Sequence, residues 1–73
     1  MKDVEDKIIA YLAKHGPATV PTIRIGLGYG VFGDVLIHTT TVYLAEVGRL
    51  VYVVDSKHTV KFDVPLLQRL AAL

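Results

Sequence analysis

The chain has 73 residues, 8 Lys and Arg against 7 Asp and Glu, and no cysteine. That length allows one small domain, residues 1–73, and excludes a two-lobed enzyme, a (β/α)8 barrel or a complete doubly wound nucleotide-binding fold. Neither disulfides nor cysteine-ligated zinc can staple it, so stability must come from a dense core; 52% of residues are apolar and 22 are Val, Ile or Thr.

In chain order, Asp3 is the expected N-cap of a first helix, with Asp6 completing a short capping-box variant. Val4, Ile8, Tyr11 and Leu12 follow helical spacing, and His15-Gly16-Pro17 stops the helix, so it should span residues 3–15. Ala18-Thr19-Val20 reads as a short extended segment. Pro21 suits the first turn of a second helix ending by Leu27, with Ile23 and Leu27 inward. Asp34 is the expected cap of a third helix running to Val47, closed by Gly48. Arg49–Val54 and Thr59–Val64 are β-type runs around the polar connector Asp55-Ser56-Lys57-His58, a hairpin pattern. Asp63 with Pro65 opens a last helix, residues 63–73, with Leu66, Leu67, Leu70 and Leu73 on one side.

The longest uncharged run, Val35 to Ala45, has 11 residues, short of the roughly 18 a membrane-spanning helix needs. The opening Met-Lys-Asp-Val-Glu-Asp-Lys is too acidic for a signal or transit peptide, so a soluble cytoplasmic protein is expected. Asparagine is absent and there is one glutamine and one methionine, a composition that suits a thermostable chain.

The order helix, short strand, helix, helix, strand, strand, helix resembles a winged helix-turn-helix domain. Lys7-Ile8-Ile9-Ala10-Tyr11-Leu12 and His15-Gly16-Pro17-Ala18-Thr19-Val20 carry the resemblance to the first helix and the entry to the second. Leu27-Gly28 matches the close of helix 2, and Glu46-Val47-Gly48-Arg49-Leu50-Val51-Tyr52 the passage into the wing. The resemblance covers residues 3–62 and implies an α+β fold: a three-helix core, a β-hairpin wing and a short C-terminal helix. It further implies a small regulator of transcription that binds double-stranded DNA, with helix 3 in the major groove and the wing on phosphates.

On that reading the groove or base contacts are His38, Thr39, Thr40, Thr41 and Tyr43, whose hydroxyl and imidazole groups can bond phosphates or base edges. The bland alternative makes the threonines partly buried spacers. The phosphate contacts are Arg24, Arg49, Lys57, His58 and Lys61; alternatively these are ordinary solvated charges and edge-strand protection. Helix 3 departs from the family pattern, since it has no Lys or Arg and carries Asp34 and Glu46. Placing Ile37, Leu44 and Gly48 inward leaves Val35, Val42 and Glu46 outward. A helix this apolar needs a second covering surface. The leucines Leu66, Leu70 and Leu73 are the expected homodimer contact, with packing against helix 1 as the alternative.

Two other classes are kept open. One is a winged-helix module for protein–protein assembly, with helix 3 buried in a partner. The other is a dinucleotide-binding fragment: Gly28-Tyr29-Gly30-Val31-Phe32-Gly33 is literally G-x-G-x-x-G, after the β-capable run Thr22–Ile25, with Asp55 ending a later strand. Neither a nucleophile–base constellation nor metal-ligand spacing is evident, so no enzyme, metal, cofactor or small-molecule substrate is expected.

Overall fold

The computed structural model describes residues 2–71. The chain folds as α+β, with four helices and a two-stranded antiparallel sheet among those residues. The order is α1 (Lys2–His15), α2 (Val20–Gly26), α3 (Gly33–Glu46), β1 (Val51–Val54), β2 (Val60–Asp63) and α4 (Leu66–Ala71).

α1 buries Val4, Ile8, Ile9 and Leu12 on one stripe. Its end is set by Gly16, which takes φ 88 and donates its N–H to the Leu12 carbonyl at 2.9 Å. Asp3 is not the N-cap, because the helix already includes Lys2; Asp3 instead pairs with Lys7 one turn on, at 3.3 Å. Ala18 makes one antiparallel bridge, to Phe62, and Val20 already belongs to α2. Thr19 is the N-cap of α2, accepting from the Thr22 N–H, with Pro21 at the start where no N–H is needed.

α3 begins one residue before Asp34, and Phe32 in the cap position makes no side-chain bond. Asp34 therefore sits in the first turn, where the helix dipole favours a carboxylate, and accepts a hydrogen bond from Arg24 Nε. The buried stripe of α3 is Ile37, Thr41 and Leu44, so Ile37 and Leu44 face inward as expected, while Val42 is half-buried rather than outward. After α3, the N–H groups of Arg49 and Leu50 turn back to the Leu44 carbonyl at 2.8 and 3.2 Å. That turn keeps both out of the strand, so β1 starts at Val51.

β1 and β2 pair from Val51↔Asp63 to Val54↔Val60. Asp63 is thus a strand residue and does not open the last helix, which begins at Leu66. The core joins α1, α2, α3 and β2: Ile8, Leu12, Ile23, Ile37 and Leu44 are 0% exposed, with Leu50, Phe62 and Val64 nearly so. Each such aliphatic side chain stabilises by about 1.5–3 kcal/mol. α4 does not pack against α1 in this way, since Leu66 and Leu67 are 70% and 80% exposed. Among the described residues no helix is long and apolar enough to cross a membrane.

The glycine-rich turn serves packing. Residues 22–25 are helical, so no strand precedes the G-x-G-x-x-G run. Gly28 sits at φ 82, ending α2, and a Cβ on Gly33 would lie 2.7 Å from the Tyr29 Cβ. Asp55, the other half of that fingerprint, turns the hairpin: its Oδ1 accepts the N–H groups of Lys57 and Thr59 at 2.9 and 3.0 Å. The strand that a dinucleotide-binding fingerprint needs before its glycines is therefore a helix here.

Candidate nucleic-acid interface

α3 presents an outer face because its Ile37–Thr41–Leu44 stripe points into the core. His38 and Thr39 lie exposed on that face, and Tyr43 is half exposed. Thr41 cannot touch a ligand: it is fully buried, and its hydroxyl donates to the carbonyls of Ile37 at 2.8 Å and His38 at 2.9 Å. A threonine fits the core stripe because its own helix satisfies its one polar atom. Thr40 is half-buried and donates to the Leu36 carbonyl at 2.7 Å. The five-residue contact set thus divides: His38, Thr39 and Tyr43 face outward, Thr40 is marginal, and Thr41 is corrected to a core residue.

Thr39, Thr40 and Tyr43 share an open cleft of about 390 Å³ with Glu5 of α1. In the sequence Glu5 stands only as part of the acidic opening segment. Its reach to α3 is a tertiary contact, and no local spacing announces it.

The cations fall into two groups. Arg24 is spent inside the fold: its guanidinium bonds Asp34 and the Tyr29 carbonyl, and its side chain is only 15% exposed. This pair fastens α2 to the first turn of α3, so the guanidinium expected on phosphate is engaged within the fold. Arg49 pairs with Glu5 at 3.2 Å and lies 3.9 Å from Asp6. Lys61 pairs with Asp55 at 3.6 Å. These last pairs are partly solvated, and exposed ion pairs are worth about 0–1 kcal/mol. The Arg49 and Lys61 side chains are more solvated than that of Arg24.

Lys57 and His58 are exposed in the hairpin connector, where His58 adopts φ 62. The bonds that Asp55 accepts hold this turn. They also hold the Asp55 carboxyl below its ordinary value of 3.8, the Thr59 N–H contributing most, against a smaller desolvation effect, with the Lys57 N–H and the Lys61 ammonium adding to it. Leu66 and Leu70 of the expected dimer contact are exposed, and Leu73 lies outside the described residues.

Among the described residues no group of three or more His, Cys, Asp or Glu could hold a metal ion. No family model, curated protein or solved structure matches the chain.

Proposed function

We propose that the chain is a small winged helix-turn-helix domain that binds double-stranded DNA inside the cell as a regulator of transcription. One observation carries the reading. α2 and α3 are joined by the connector 27–32 and fastened by the Arg24–Asp34 pair, and α3 keeps His38, Thr39 and Tyr43 on an open face. His38 and Thr39 supply the base-edge or phosphate bonds, and Tyr43 flanks them. Lys57 and His58 in the hairpin connector, with Arg49 and Lys61, supply the backbone contacts. The nearly neutral charge fits weak, short-footprint binding, because each phosphate neutralised adds to affinity and to its salt dependence.

The test is a fluorescence-anisotropy titration of a mixed-sequence duplex across a salt series. The expected result is binding at low salt. The Lys57→Ala, Lys61→Ala double variant should weaken it and flatten the log–log salt slope by about 0.9 for each phosphate no longer neutralised. Absence of duplex binding at low salt overturns the reading.

A second reading is favoured by a specific feature of α3. It has no Lys or Arg, and Phe32 before it and Val35 in its first turn are 92% and 74% exposed. Exposed apolar side chains beside an acidic helix start suit a protein surface better than a phosphate backbone. On that reading the domain is an assembly module. His38→Ala and Thr39→Ala would then leave duplex affinity unmoved, and Phe32→Ser would abolish capture of the partner.

A further inference from the structure

The hairpin leaves one edge open. Asp55 donates its N–H to the Thr59 carbonyl, and the register then makes Val53↔Lys61 and Val51↔Asp63 the hydrogen-bonded pairs. On β2 the alternate residue Phe62 turns its N–H and carbonyl the other way, and Ala18 takes both, at 2.9 and 3.0 Å. The outer edge of β2 is therefore occupied at Phe62. On β1 the same alternation turns the N–H and carbonyl groups of Tyr52 and Val54 to the free side. Among the described residues β1 pairs with β2 alone.

Apart from its shortness, this edge lacks the usual protection. Folded monomers guard an edge strand with charge, proline or a bulge. β1 reads Val-Tyr-Val-Val, and Tyr52 and Val54 are 55% and 58% exposed. The lysine of the hairpin strands, Lys61, lies on the inner strand and is engaged with Asp55.

We propose that β1 is the seat of a homodimer, pairing antiparallel with β1 of a second copy about a twofold axis at Val53. The strand is its own complement in that register. Tyr52 stands opposite Val54 of the second copy, and the two related pairs each exchange both bonds. No charge of β1 meets a like charge, and a net charge of +1 per chain adds little repulsion.

A four-residue strand alone falls short of the roughly 800 Å² per partner that a stable interface buries. The register supplies more. β2 ends beside Val51, and in the twofold pair Val51 stands opposite Asp55 of the second copy. The α4 segment that follows β2 is thereby brought to the sheet end where the other hairpin turns. Exposed Leu66 and Leu67 follow β2 at that same end. The apolar C-terminal segment becomes the flank of an interface centred on the strand, and the proposal is independent of DNA binding.

Hydrogen exchange on the unmodified protein tests it, with sedimentation equilibrium on the same samples and no DNA present. The Val51 and Val53 amides report hairpin integrity, because both bond within it. The expected result is a dimer of two 8.0 kDa chains, in which the Tyr52 and Val54 amides become protected as concentration rises. Tyr52→Lys sets two lysines near the twofold axis and should weaken self-association at least tenfold while Val53 stays protected. A monomer up to millimolar concentration overturns the proposal. So does a dimer whose Tyr52 and Val54 amides exchange as fast as in the dilute monomer.

Discussion

α1 and α3 have equal length, 14 residues each, and both press one stripe into the same core. Ile8 and Leu12 on one and Ile37 and Leu44 on the other are equally buried. Their outer faces differ. α1 turns Lys7, Lys14 and Asp6 to water, with Lys7 paired to Asp3 and Asp6 lying 3.9 Å from Arg49. α3 turns out Val35, His38, Thr39 and Tyr43, and its acidic groups lie at its two ends. One helix is finished as a solvent surface, and the other carries polar groups that hydrogen-bond without charge among exposed apolar ones. Burial places both helices alike; the residues left over make their outer faces different.

The largest effects should appear where the two helices are alike. Leu12→Ala and Leu44→Ala each remove a fully buried side chain from one continuous core. Each should cost about 2–5 kcal/mol in urea unfolding followed by circular dichroism. The outer-face changes Lys7→Ala and Val35→Ala should stay within about 0.5 kcal/mol. A Leu44→Ala cost near zero would mean that α3 is not anchored as α1 is.

A smaller effect tests how α3 is held. A Cβ on Gly33 would crowd the Tyr29 Cβ at 2.7 Å, close to backbone, so the turn must shift. Gly33→Ala should cost about 1–3 kcal/mol. Gly30→Ala meets nothing within 4 Å and should be close to neutral. Equal costs for the two would break the distinction between a packed glycine and a merely permitted one.

Much of this scaffold is legible in the sequence. Helix ends fall within a residue or two of the Gly and Pro punctuation, because those residues act locally on the backbone. The hairpin follows from its two β-type runs and polar turn. The burial of Thr41 was also within reach, since it continues the Ile37–Leu44 stripe; its chemistry argued for exposure, and the helix carbonyls overrule that. Arg24–Asp34 and Arg49–Glu5 were out of reach, as each joins elements whose relative placement no local spacing specifies. The same holds for the open edge of β1, which depends on Ala18 having taken the other edge of the sheet. Leu66 and Leu70 have the pattern of a buried side and stand exposed, since no element among the described residues covers them.

The smallest effect concerns the hairpin turn. Asp55 is held below its ordinary 3.8, first by the Thr59 N–H and then by the Lys57 N–H and Lys61. A carboxyl with a lowered folded pKa stabilises the turn fully above its unfolded value and ceases to as pH falls through the folded one. The amide shifts of Lys57 and Thr59 should therefore follow one titration with a midpoint below 3.8. Asp55→Asn should abolish that titration, since the amide oxygen still accepts both N–H bonds but carries no charge. The core amides on α1 and α3 should not follow it, because the turn is stabilised locally and the two helices are held by burial. A midpoint at or above 3.8 would show that the turn bonds do not form in solution, and Lys57 and His58 would then lose their fixed presentation.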